Sequence, residues 1–267
     1  MSEYLLGSEE AEIARLDRQA AMIAGAGDAL LRLAGIAPGM RVLDLGTGLG
    51  HVAFQLAEVV GPEGSVVGVD REAPLLAIAE RRREAENVRF VEADVRTVRF
   101  DEPFDAIVAR LLLQHLPDAV DVPRHHMGNL RPGGIMVAID ADGGAVRAEP
   151  AVELVDRVIG WIEAALRTAG ADPRIGARLI PLLRKAGFED VTGVGMQGYS
   201  AAGDPSGPGM LAGIMRTLAP TIVERGIATE EEIGVDTLAE RLGREIEAAD
   251  AVLLPPTIAG AWGRLRS

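Results

Sequence analysis

An aspartate stands two residues before three alternating glycines in Val42-Leu43-Asp44-Leu45-Gly46-Thr47-Gly48-Leu49-Gly50. This puts a negative charge beside a turn that a ligand can approach closely. Without a β-carbon, glycine reaches positive φ and leaves room for a bound group. The charge decides which group fits. A carboxylate there repels a pyrophosphate and attracts an ammonium or sulfonium. A dinucleotide fingerprint would also need its third glycine at position 51, which is His51.

Further candidates follow at intervals. Asp70 ends the run Ser65-Val66-Val67-Gly68-Val69-Asp70 and is placed to accept both hydroxyls of a ribose. Asp94 and Val95 follow Val88-Arg89-Phe90-Val91-Glu92-Ala93, and Arg110 ends Phe104-Asp105-Ala106-Ile107-Val108-Ala109. A guanidinium at 110 suits a carboxylate of the cofactor or of an acidic substrate, with an ion pair to Asp44 or Asp140 as the structural alternative. His115 is the histidine best suited to act as a general base, because imidazole titrates near neutral pH, although a packing role fits it equally. His125 and His126 are adjacent and point in different directions on a helix, which argues against a two-ligand metal site.

Strands and helices must hold these residues. Short apolar strands at 42–45, 65–70, 88–94, 104–110 and 134–140 alternate with helical patterns, including one from His51 and one over 74–86, so the pattern predicts a parallel sheet covered on both faces. Each candidate then lies at a strand's C-terminal end, where ligands bind at the point of reversal in strand order. A sixth strand is expected at 188–198. A seventh is expected within 251–262, antiparallel and at the sheet edge because of Pro255-Pro256. Helices are expected at 8–33, 151–169, 174–187, 210–225 and 229–248.

The ordered set of glycine turn, Asp70, Asp94, the 104–110 strand and Leu130-Arg131-Pro132-Gly133-Gly134 resembles the class I S-adenosylmethionine-dependent methyltransferases, of the bacterial small-molecule type, from about Met40 to Gly144. The resemblance implies a Rossmann-like, doubly wound seven-stranded sheet of α/β class, mostly parallel with an antiparallel last strand. It also implies an N-terminal helical lid (1–35) before a methyltransferase domain (36–267) with helical cap segments at about 145–170 and 204–249. The implied cofactor is S-adenosyl-L-methionine. Asp44 and the amides around Gly46, Thr47 and Gly48 would contact its methionine portion, and Asp70 its ribose. Arg71 would flank the adenine, Asp94 would accept from the adenine amino group, and the Val95 amide would meet a ring nitrogen. Tyr4 and Gln19 match lid residues that reach the cofactor. Asp140 and Asp142 resemble the metal-binding acids of catechol-type enzymes, but Arg110 stands where another acid is wanted, so no metal is expected.

Composition sets the outer limits. The 267 residues are 48% hydrophobic and 25% charged, long enough for one large α/β domain with an insertion. A net charge of −13 argues against a nucleic-acid partner, and no apolar run has the length of a membrane span. The absence of cysteine and of a basic leader suits the cytoplasm. The expected partners are a small-molecule acceptor and a second copy in a homodimer. The expected function is methyl transfer to an oxygen, nitrogen or carbon of that acceptor, and the resemblance implies a place in bacterial specialised metabolism. A non-catalytic cofactor-binding or regulatory subunit is the alternative.

Overall fold

The computed structural model describes residues 9–266, with side chains from Ile13 onward. Tyr4 lies outside the described residues. Two compact units are distinguished.

The first unit comprises residues 9–140, Ile175–Gly195 and 258–266. It begins with α1 (Glu9–Leu33), then alternates β1 (Arg41–Leu45), α2 (His51–Val60), β2 (Ser65–Asp70), α3 (Ala73–Arg82), β3 (Val88–Glu92), β4 (Phe104–Arg110), α4 (Asp121–His126) and β5 (Leu130–Asp142). The second unit takes 141–174 and 196–257, carrying β6 (Arg147–Glu149) and α5 (Glu153–Thr168). The first then receives α6 (Leu179–Ala186) and β7 (Glu189–Met196). Next come α7 (Ser206–Glu224), α8 (Glu230–Ile233), α9 (Leu238–Ala248) and β8 (Val252–Leu254), before β9 (Thr257–Arg264) closes the sheet.

The seven strands run in the order β3-β2-β1-β4-β5-β9-β7. Strand order reverses between β1 and β4, the position at which an open parallel sheet binds its ligand. The central strands are apolar on both faces, as parallel strands under two helical layers must be. Val42 to Leu45, Val66 to Val69 and Ala106 to Ala109 are all buried, and β3 at the margin is partly exposed. Register then fixes the site. Leu45 pairs with Val69 and with Ala109, which brings Asp44, Asp70 and Arg110 to one end of the sheet.

The last strand corrects the edge assignment. Pro255-Pro256 divides the 251–262 segment into β8, which pairs with β6 in a separate two-stranded sheet, and β9, which lies inside the main sheet between β5 and β7. Both prolines fall between the strands, so β9 keeps every amide it needs on its two sides. Leu265 accepts from the Gly133 amide and donates to the Gly134 carbonyl at 3.1 and 2.8 Å, in the antiparallel sense.

The segments expected as cap helices form a core of their own. Val155, Val158, Met215, Ile222, Leu238, Leu242 and Leu253 are buried together there. The 229–248 pattern is two helices, because Gly234 adopts φ 52° and ends α8. The helix expected at the N-terminus is part of the sheet-bearing unit. Leu30 and Leu31 of α1 are 0% and 1% exposed, each contributing roughly 2 kcal/mol by burial.

Candidate active site

The glycine turn is braced by its neighbour β2. Gly46 and Thr47 donate their amides to the Val69 carbonyl at 2.8 and 3.0 Å, and the Gly48 amide donates to Asp70 Oδ2 at 2.8 Å. These three amides are therefore hydrogen-bonded within the protein, which fixes the shape of the turn. Gly46 has φ 69°, and a Cβ there would meet Leu112 Cδ1 at 2.9 Å. Gly48 has φ 52° with nothing within 4 Å of a built Cβ, so the turn is open on that side.

Asp44 lies beneath this opening. It is 1% exposed, and among the described residues neither carboxylate oxygen has a hydrogen-bond partner of good geometry. Burial pushes its carboxyl up to about 7. The nearby Thr47 hydroxyl and the positive Arg110 relieve that cost only in part. Thr47 Oγ1 is also buried and, beside Asp44, makes no hydrogen bond of good geometry among the described residues. A buried carboxylate and hydroxyl beside an open glycine fit a ligand that brings a positive hydrogen-bond donor.

Asp70 is tied into the turn from both sides, accepting from Gly48 through Oδ2 and from the Glu72 amide through Oδ1 at 3.0 Å. Each carboxylate oxygen keeps a second lone pair, so hydroxyls can still be accepted. Arg71 donates to Glu72 at 3.0 Å. Asp94 is gripped by Arg96 through its guanidinium, and accepts from the Arg96 amide at 2.8 Å. The Arg96 pairing holds the Asp94 carboxyl down at about 2. The Val95 carbonyl accepts from His126 at 2.8 Å.

Among the described residues Arg110 makes no ion pair at contact distance with Asp44 or Asp140, although the charge of Asp44 acts on it. Its Nη1 donates to Gln55 Oε1 at 3.3 Å, and burial pushes its pKa down while Asp44 opposes that shift. Immediately after it, Leu111 adopts φ 52°, a conformation uncommon for a side chain of this size. That turn sends Leu112 over Gly46 and lets the Leu113 amide donate to the buried Asp140 Oδ2 at 3.1 Å. Asp142 accepts from the Gly144 amide at 3.0 Å.

His115 ends the short 3-10 turn Leu113–His115. It keeps a solvent-exposed face, yet the surrounding protein mass and then the Arg15 guanidinium push its pKa below the ordinary imidazole value. Gln19 accepts from Arg15 at 3.3 Å on α1. The other histidines are structural. His125 meets the Val98 carbonyl at 2.9 Å, and His126, fully buried, bridges the Val95 carbonyl and Asn129. Among the described residues no group of three or more metal-ligating side chains is found.

Sequence reasoning missed the fastening of α1. His51 Nε2 lies 2.8 Å from Asp17 Oδ1, and Arg82 reaches both oxygens of Asp17 at 2.7 and 3.0 Å. Gln55 Nε2 donates to the Ala24 carbonyl at 3.1 Å. One signal was available, since Gly27 inside a helix is costly unless something approaches closely, as Arg110 does.

Residues 36–167 match a family model described as a methyltransferase domain. This segment is similar to methyltransferase domains over just under half of the chain. Over 115 residues the chain is 33% identical to a ubiquinone/menaquinone biosynthesis C-methyltransferase, UbiE, of Ectopseudomonas mendocina, covering 41% of this chain and 45% of that one. It is 38% identical over 108 residues to a 2-phytyl-1,4-naphtoquinone methyltransferase of Synechococcus elongatus, covering 39% and 46%. The chain thus spans under half the length of these curated relatives. Among solved structures, the YcgJ protein of Bacillus subtilis superposes with a TM-score of 0.58 at 18% identity, over 91% of this chain and 99% of that one. Phosphoethanolamine N-methyltransferase 2 of Haemonchus contortus, solved with S-adenosyl-L-methionine, gives 0.55 at 19% over 91% and 52%. At such identities these structures establish the methyltransferase fold. No described helix is long and apolar enough to cross a membrane.

Proposed function

We propose that this protein transfers a methyl group from S-adenosylmethionine to a small organic acceptor. The observation that carries the reading is the buried, unpartnered carboxylate of Asp44 at the point where strand order reverses, beneath the opening at Gly48. When bound, S-adenosylmethionine supplies an electrophilic methyl group on its sulfonium.

Each residue then has a task of binding or positioning. Asp44 and Thr47 receive the ammonium of the methionine portion, and Arg110 receives its carboxylate. Asp70 accepts the ribose hydroxyls while keeping the glycine turn braced. Asp94, Val95 and Arg71 border the adenine, and Gln19 on α1 faces the same ligand, with Tyr4 as a further candidate. His115, with its pKa held below the ordinary imidazole value, is the group placed to take a proton from an acceptor that must lose one. Holding the reactants in line and excluding water supplies most of the acceleration. Residues 1–35 act as a lid in this proposal, and the helical segments at 145–170 and 204–249 carry acceptor selectivity.

The curated relatives are named for methylating quinone rings, so a demethylated quinone is the first acceptor to try, ahead of a specialised metabolite. They match 41% and 39% of this chain, so the acceptor remains the less supported part of the reading. The missing cysteines suit a reducing cytoplasm, where the protein would work as a homodimer, a mass that light scattering would give. Incubation with methyl-labelled S-adenosylmethionine and a cell extract tests the activity. Label in a small product, with release of S-adenosylhomocysteine, is expected. Cofactor binding without any release would point instead to a regulatory subunit.

A further inference from the structure

We propose that Gln55 is a positioning residue that couples docking of α1 to the hold of Arg110 on the cofactor's carboxylate. The inference rests on the reading above that Arg110 takes that carboxylate. It adds a residue on α2 that neither touches the cofactor nor belongs to any motif of the glycine turn.

The geometry is that of a relay. Gln55 Oε1 accepts from Arg110 Nη1 at 3.3 Å, and Gln55 Nε2 donates to the Ala24 carbonyl of α1 at 3.1 Å. A primary amide alone among side chains of this size accepts on one end and donates on the other. Glutamate would lose the donor to Ala24, and leucine would lose both bonds. Arg110 is half-buried, and a guanidinium held by one oriented acceptor keeps its remaining N–H groups aimed in fixed directions.

The opposing surface of α1 is shaped for the same group. A Cβ built at Gly27 would lie 3.0 Å from Arg110 Nη1 and 3.6 Å from Gln55 Oε1. Glycine inside a helix costs about 1 kcal/mol relative to alanine. At position 27 that cost leaves the space the guanidinium occupies. Withdrawal of α1 would remove the Ala24 carbonyl from Gln55 and the helix face from Arg110, so the carboxylate is gripped firmly only when α1 is docked.

Binding of S-adenosylmethionine and of its decarboxylated form, measured by calorimetry on the wild type, Gln55→Leu and Gly27→Ala, tests this. Alanine at 27 favours the helix, so that variant keeps α1 folded even if Gln55→Leu loosens it. The wild type should prefer S-adenosylmethionine by about 10-fold or more, the effect of one charge-assisted pair. Both variants should bring that preference close to unity, with affinity for the decarboxylated form nearly unchanged. Hydrogen exchange supplies a second readout, since S-adenosylmethionine should slow exchange across α1 in the wild type and not in Gln55→Leu. A wild type without preference would refute the carboxylate role of Arg110. A wild-type preference retained in both variants would refute the relay and leave that role standing.

Discussion

The amide of Gly48 donates to the carboxylate of Asp70 at 2.8 Å, so the residue placed to hold the ribose also holds the glycine turn in shape. Two adjacent strands, β1 and β2, are thereby joined at the end where the ligand binds. Loss of Asp70 should affect both tasks together. For Asp70→Ala, we expect cofactor affinity to fall by roughly 2–4 kcal/mol, because a charged acceptor is removed and the Gly48 and Glu72 amides lose their partner. Calorimetry on the variant checks this, and an unchanged dissociation constant would place the ribose elsewhere.

Asp44 predicts opposite effects on stability and binding. Its folded carboxyl is raised to about 7 from an unfolded value of 3.8, so the folded state binds its proton more tightly and stability is lost as pH rises from about 4 through 7. At pH 8 the buried charge costs on the order of 4 kcal/mol in the ligand-free protein. Asp44→Asn should therefore raise the unfolding midpoint at pH 8, with little change at pH 4, while weakening S-adenosylmethionine. Denaturant melts at the two pH values give the comparison, and a destabilised variant at pH 8 would contradict it.

Ligand binding should also displace that proton. An arriving ammonium favours the ionised carboxylate, so affinity should rise from pH 6 to pH 8 and binding at pH 7 should release a fraction of a proton. Titrations in buffers of different ionisation enthalpy would show it, and the release should vanish in Asp44→Asn. Equal release from both proteins would assign the proton to another group.

His126 predicts weakness in acid. Its imidazole is buried against the Val95 carbonyl and Asn129, and burial lowers its pKa to about 4 from 6.5. Stability from the neutral ring is complete above pH 6.5 and is lost as pH falls toward 4, by on the order of 3 kcal/mol. His126→Gln should flatten this part of the stability curve, at some cost in packing at pH 7. An unaltered slope between pH 6.5 and 4 would show that other groups govern it.

Much of this was legible in the chain. Val42 to Leu45 and Phe104 to Arg110 read as strands because both faces are buried and apolar, and Gly187 ends α6 at φ 112° as its position suggested. Asp44 was legible from charge and spacing alone. The use of the Gly46 and Thr47 amides by Val69 was not, because it follows from the pairing of β1 with β2 across distant sequence. Arg110 likewise found Gln55 and α1 in place of an acid, a partnership set by how a helix docks. The position of β9 inside the sheet depended on where two prolines fell relative to the strand ends, within two residues of the expected segment.

In the proposed function the turn from Asp44 to Gly50 binds S-adenosylmethionine. Calorimetric titration of the wild-type protein at pH 7.5 with S-adenosylmethionine, its demethylated product and a nicotinamide dinucleotide tests it most directly. One site per chain is expected for the first two ligands, and no heat for the third. Absence of binding by S-adenosylmethionine, or tighter binding of the nicotinamide dinucleotide, would contradict the account.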